Sequence, residues 1–138
     1  MTSRDLGTLT AVFQAKARAW LEDCEEHGID ILITATYRSM EEQAAEYAKG
    51  RTTKSTVGPF TPEDPLGKIV TKAKPGESAH QWRMALDFVP MDNGRPVWDV
   101  KSPLWDRAIK LAEARGMESL RPFESAHLQE PGWRDKKP

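Results

Sequence analysis

Three residues in this sequence have the types and the spacing to hold a metal ion. His80 lies at the lip of an apolar run, Asp87 follows seven residues later, and His127 stands near the end of the chain. Two imidazole nitrogens and one carboxylate oxygen, each about 2 Å from the ion, make a three-ligand zinc set. Such a set leaves the fourth position open for a water, which the metal acidifies. Glu124, three residues before His127, is the candidate to take that water's proton. Amide hydrolysis also builds charge on the carbonyl oxygen, and a fixed cation such as Arg38 would offset it. His-x6-Asp and Glu-x-x-His are weak patterns singly. Their force is joint, because together they engage two of only three histidines.

The elements that must position these residues can be read in order. Leu9, Val12, Phe13, Ala17, Trp20, Leu21 and Cys24 recur at three- and four-residue steps, predicting a helix from Thr10 to His27 with Gly28 as its stop. Cys24 falls on the apolar stripe and reads as core. His27 falls in the last turn, where a cation suits the helix dipole. Ile29 to Tyr37 is rich in β-branched residues and predicts a strand. Ser39 then caps a second helix, with Glu42 at the matching capping-box position and Gly50 as the stop. Arg38 stands at this strand-to-helix junction. It is either a displayed functional side chain or a surface arginine paired with Glu41 or Glu42.

Residues 51–77 hold four prolines and three glycines, and only Lys68-Ile69-Val70-Thr71 has strand character. So long an irregular stretch predicts a flap beside the site, mobile around Thr53 to Pro65. Met84 to Val89 alternates as a strand, with Asp87 on the face opposite Leu86 and Phe88. On one continuous strand an odd spacing of seven would put His80 and Asp87 on opposite faces. His80 therefore belongs to a preceding turn. Asn93-Gly94 signals a hairpin, with Pro96-Val97-Trp98 as the returning strand. Ser102 and Pro103 open a third helix that Gly116 closes. A short final strand carries His127, and the tail from Arg134 is expected to fray.

Bulk properties narrow the class. The 138 residues suit one domain, read as residues 1–138, with 38% hydrophobic and 30% charged residues. Twenty basic residues against 21 acidic ones leave a net charge of -1, without the basic excess that nucleic-acid binding needs. One cysteine allows no internal disulfide. No apolar signal core and no membrane-length apolar run is present, so no membrane insertion is expected. The expectation is a monomer made in the cytoplasm.

Ser78-Ala79-His80 with Asp87, and Glu124-x-x-His127, resemble the Ser-x-His-x6-Asp and acid-x-x-His signatures of VanY-type zinc D-Ala-D-Ala carboxypeptidases. The block Tyr37-Arg38-Ser39-x-x-Glu42-Gln43-x-x-x-Tyr47-x-x-Gly50-Arg51-Thr52 is closer to their phage relatives, the L-alanyl-D-glutamate endopeptidase endolysins. Ile69-Val70-Thr71-x-Ala73-x-Pro75-Gly76 and His127-Leu128-Gln129-x-Pro131-Gly132-Trp133 resemble the approach to the first histidine and the closing segment of that family. The resemblance runs from Ile29 to Trp133.

It implies an α+β fold of the hedgehog/D-Ala-D-Ala peptidase type: a small, mainly antiparallel sheet with packed helices and zinc at one edge. It implies Zn2+ held by His80, Asp87 and His127, Glu124 as general base and acid, and Arg38 at the substrate carbonyl. Gln43 and Ser78 would support substrate binding. The implied substrate is bacterial peptidoglycan, cut between L-alanine and D-glutamate, by a phage or prophage endolysin with no separate wall-binding domain. It would act in the host and reach the wall through a separate release system. The rivals are a D-Ala-D-Ala carboxypeptidase and a non-catalytic wall-binding module. Departures from the family pattern are Arg83 for a glycine, which could narrow the groove, and Glu118-Ser119-Leu120-Arg121 for a Trp-Gly-Gly-like segment. Ala126 replaces the usual proline and Leu128 the usual aromatic, and Glu124 stands where the endolysins more often have aspartate.

Overall fold

Helix α1 (Ala11–Glu26) forms over the stretch with three- and four-residue apolar spacing. The Thr10 hydroxyl accepts from the Phe13 N–H, and Gly28 leaves the helix at φ +71°, which glycine adopts freely. The structure is a computed structural model and describes residues 2–138. Phe13, Ala17, Trp20 and Cys24 form the buried stripe. Burial pushes the Cys24 thiol up to about 11, as a core thiol should be. Val12, by contrast, is 62% exposed. It sits about 100° around the helix from Phe13, off the stripe.

The sheet is antiparallel, in the order β1 (Asp30–Ala35), β2 (Ala85–Asp92), β5 (Glu124–Gln129), β4 (Glu118–Leu120). The two-residue β3 (Arg95–Pro96) pairs with β2 off this path. Between them Asn93 and Gly94 both take positive φ, 51° and 74°, as a two-residue hairpin requires. Alternation along β2 and β5 then sorts side chains by face. Leu86 pairs with Leu128, and both lie in the core with Phe88. Asp87 pairs with His127 and looks the other way.

The apolar face is covered by α1 and α3 (Pro103–Ala114). Ser102 caps α3 and Pro103 occupies its first position. Trp20 ties the two helices together, its indole N–H donating to the Ala108 carbonyl at 2.9 Å. Its ring meets Phe88 edge-on at 5.1 Å, and Phe88 meets Trp105 at 5.2 Å. Buried aromatic rings at these separations contribute about 0.5–1.5 kcal/mol per pair beyond their burial.

Several local expectations need correction. Lys68 to Thr71 is not a strand, and Ile69 is half exposed. The segment instead lies against the turn after α2 (Met40–Ala48), its Lys68–Ile69 backbone close on Gly50 and Arg51 donating to the Thr71 carbonyl. β3 stops at Pro96 because Pro90, opposite Val97, has no N–H to return the bond it accepts from Val97, and the Trp105 indole N–H takes the Val97 carbonyl at 2.8 Å. β4 has no signal in the sequence, since three residues with two polar side chains carry no readable alternation. The tail does not fray at once. Trp133–Lys136 forms a helical turn, α4, anchored by buried Trp133 and by Lys136 on buried Glu130.

Candidate metal centre

His80 is held off β2, on a 3-10 helix from Ala79 to Trp82. Parity demanded this, and the capping explains it locally. The Ser78 hydroxyl accepts from the His80 N–H, and Gln81 reaches back to the Ser78 N–H. The helix ends at Arg83, which takes φ +63°. A position in the left-handed region is where glycine costs least, so the arginine here bears backbone strain. Its side chain does not narrow the groove. It stacks over Tyr37 at 4.1 Å and donates to the Thr8 carbonyl, away from the site.

His80, Asp87 and His127 each offer a ligand atom, and these atoms lie within 4.8 Å of one another. They sit over the two central strands, at the end where β1 stops, rather than on an outer strand. The hydrogen bonds behind them set the ring tautomers. His80 Nδ1 lies 2.7 Å from the Thr36 carbonyl, an acceptor, so Nδ1 carries the proton and Nε2 presents its lone pair. His127 Nε2 lies 2.8 Å from Gln129 Oε1. The Gln129 amide nitrogen donates to Glu118 at 2.6 Å, which fixes which way that amide points. His127 therefore presents the lone pair of Nδ1.

Both lone pairs face Asp87 Oδ1, at 3.1 Å from His80 and 3.4 Å from His127. Three acceptors converging on one point, with their protons turned outward, are a donor set for a cation. Zinc's preference for imidazole nitrogen and carboxylate oxygen fits it. Burial alone would raise the Asp87 carboxyl, but the His80 and His127 rings hold it well below the usual carboxylate range. Burial also disfavours a charged His127, yet the hydrogen bond and charge of Asp87, with Gln129 and Glu124, together raise its pKa, so a proton and a metal compete for Nδ1.

Arg38 faces the centre and not Glu41 or Glu42. Its Nη2 lies 3.6 Å from Asp87 Oδ2, the oxygen the histidines leave free. Gln43, expected to touch substrate, is fully buried behind it. Its carbonyl accepts from Arg38 at 3.1 Å and from Gln81 at 3.2 Å, and its amide donates to Ala73 at 2.7 Å. With those groups engaged, Gln43 positions Arg38 and the loop. Ser78 borders the cleft, but its hydroxyl serves as the cap of the His80 turn.

Glu124 required a departure from regular strand geometry. Residues three apart on a strand face opposite sides. On β5, however, Leu128 pairs with Ser119 while Glu124 pairs with the next β4 residue, Leu120. The extra residues bulge, and Glu124 comes to line the same cleft as His127. That cleft has a volume of about 380 Å³ and is bordered by Thr71 and Glu77 of the long loop and by Phe123 across from them. Lys72 sits over the Phe123 ring at 4.3 Å, so the two sides meet. Glu118 and Gln129 are the residues sequence reasoning passed over. The only trace of them was polarity at positions that β4 and β5 bring opposite each other.

Fold and site together define a class: an α+β protein in which two central strands and the 3-10 turn before them carry a His–Asp–His donor set suited to a divalent metal. The chain belongs to the VanY family, since residues 8–113 match the family model described as D-alanyl-D-alanine carboxypeptidase. It is 33% identical over 99 residues to the peptidoglycan L-alanyl-D-glutamate endopeptidase CwlK of Bacillus subtilis (strain 168). That match takes in 66% of this chain and 52% of CwlK, so the chain spans about half the length of this curated relative. The L-Ala D-Glu endopeptidase ChiX of Serratia marcescens superposes with a TM-score of 0.65 at 16% identity, covering 99% of this chain and 92% of ChiX. A mutant of the vancomycin resistance D,D-pentapeptidase VanY, in complex with Zn(II), gives 0.62 at 17% identity, covering 91% of this chain and 74% of the other. Both likenesses are of fold.

Proposed function

We propose that this chain is a zinc peptidase of bacterial peptidoglycan that hydrolyses the amide between L-alanine and D-glutamate in the stem peptide. The observation that carries the reading is the pair of imidazole lone pairs and the Asp87 oxygen converging beside Glu124 in one cleft. The identity with an L-alanyl-D-glutamate endopeptidase supports the choice of bond. Bound at His80, Asp87 and His127, zinc would supply an acidified water and a Lewis acid for the scissile carbonyl. Glu124 takes the water's proton and returns it to the departing nitrogen. Arg38, clamped by Gln43 and Asp87, presents a fixed cation to the charge that develops on the carbonyl oxygen. A wall-binding module would have no use for a carboxylate such as Glu124 at this place.

The test is mass spectrometry of sacculi digested by zinc-loaded protein. Peptides beginning with D-glutamate, leaving L-alanine on the glycan, are the expected products. The family description favours a second reading, a D,D-carboxypeptidase. Free D-alanine as the sole small product would install that reading instead. Glu124→Ala should keep fold and zinc and lose at least about 10²-fold in turnover. Near-normal turnover would move the base elsewhere.

The further reading is a phage or prophage endolysin, made in the host cytoplasm and reaching the wall through a separate release system. The Tyr37 to Thr52 block supports it. Cytoplasmic expression should leave Gram-negative cells intact until their membrane is permeabilised. Lysis without permeabilisation would overturn the need for a release system.

A further inference from the structure

We propose that the metal centre has a second, apolar subsite built on Trp98, and that it takes the acyl half of the substrate: the L-alanyl residue and the sugar that bears it. The inference rests on the peptidoglycan reading above.

A recess of about 250 Å³ adjoins the centre and shares Asp87, Glu124 and His127 with the main cleft. Its remaining walls are Trp98, Val100, Trp105, Ser125 and Ala126, none of them charged. The main cleft differs in kind, since it is bordered by charges of both signs: Arg38, Lys72 and Arg134 with Glu77 and with Glu46, which Lys49 holds at 2.8 Å. The cations therefore border the main cleft alone, and the recess beyond the donor set presents Trp98, Trp105 and Val100 without a cation. Trp98 is 63% exposed and Val100 54% exposed. Among the described residues no ring or cation stacks on Trp98, whereas Phe60, Trp82, Phe123 and Trp133 each have a cation over them.

Exposed though it is, the segment is held in place. The Val97 N–H donates to the Pro90 carbonyl at 2.9 Å, and the Val97 carbonyl accepts from the Trp105 indole at 2.8 Å. Asp99 accepts from the Lys101 N–H with its side chain and from the Ser102 N–H with its carbonyl, each at 3.0 Å. A solvent-facing aromatic surface fixed beside a reaction centre is the mark of a ligand contact.

The chemistry of the stem peptide then sets the direction. On the amine side of the L-Ala–D-Glu bond lie the free carboxylate of D-glutamate and the carboxylates of later residues. On the acyl side lie the alanine methyl, the lactyl methyl and a pyranose ring with an apolar CH face. The anionic half matches Lys72 and Arg134. The neutral half matches Trp98 and Val100, with the sugar's CH face against the indole. The chain thus crosses the donor set with its sugar end toward Trp98.

The experiment compares zinc-loaded wild type and Trp98→Ala on two substrates that share the scissile bond, a disaccharide-bearing stem peptide and the same peptide without sugar. Trp98→Ala should lower kcat/KM about tenfold on the first, mainly through KM, and within about twofold on the second. Equal changes on both, or none on either, would overturn the subsite. A readout independent of turnover is the Trp98 indole N–H resonance, identified by its loss in Trp98→Ala. N-acetylmuramoyl-L-alanine should shift it, and γ-D-glutamyl-diaminopimelate should not; the reverse pattern, or no shift with either, would overturn the subsite. Cleavage of L-Ala–D-Glu without a shift removes the subsite alone. An intact bond with the shift present removes the bond assignment and leaves the subsite standing.

Discussion

The two faces of strands β2 and β5 are built from alternate residues of the same short segments and obey different rules. Leu86, Phe88 and Leu128 face α1 and α3, where stability comes from excluded water and close packing. Asp87 and His127 face the cleft, where three acceptors are gathered with too little positive charge beside them. With both rings neutral, such a set has no local reason to gather. The apolar face holds it there, because the register that pairs Leu86 with Leu128 necessarily pairs Asp87 with His127. A one-residue slip would reverse both faces, so the core dictates where the site lies.

Removing a ligand should break the comparison most sharply. His80→Ala or His127→Ala should lose nearly all zinc by metal analysis while keeping the far-UV circular dichroism of the parent. Full zinc retention in both would remove the donor set, and unfolding of both would show that the polar face is needed for the fold. The converse change is Phe88→Ala, a fully buried ring. It should cost about 3–5 kcal/mol in denaturant unfolding and still bind one zinc per chain below its midpoint. Zinc loss from the folded variant would mean that the faces are not separable.

A subtler change tests what stands behind the ligands. Gln129→Leu removes the acceptor that orients His127 and should weaken zinc about 10- to 100-fold in a chelator competition. Unchanged affinity would show that the ring's tautomer is held by something else. The smallest effect is expected at Arg83. Arg83→Gly relieves a positive φ, while losing the Tyr37 stacking and the bond to Thr8. With about 1–2 kcal/mol of strain relief set against contacts of similar size, stability should move by less than about 1 kcal/mol. A loss of several kcal/mol would make Arg83 an anchor of the His80 turn.

Where reading the sequence failed, the missing information was a long-range contact. Gln43 looked like a substrate contact because it sits in the block that resembles the family's. Burial under Gln81 and Ala73 turned it inward. Arg83 looked obstructive because its size was visible and its backbone angle was not. Glu118 and Gln129 gave almost no signal, since two polar residues eleven apart meet only when β4 and β5 pair.

By itself the sequence determined what depends on neighbours a few residues away. The Thr10 cap and apolar stripe of α1, the Ser39–Glu42 capping box, the Asn93-Gly94 hairpin and the Ser102-Pro103 helix start are all of this kind. So is the exclusion of His80 from the strand of Asp87, which follows from parity alone. Tertiary structure decided the rest. It set His127 opposite Asp87 across forty residues of chain, bulged β5 so that Glu124 shares their cleft, and placed Trp98 beside them. The physical reason is that helix caps and tight turns are stabilised by bonds within one turn of chain. A strand register is instead selected by burying a whole apolar face at once, and no local segment contains that term.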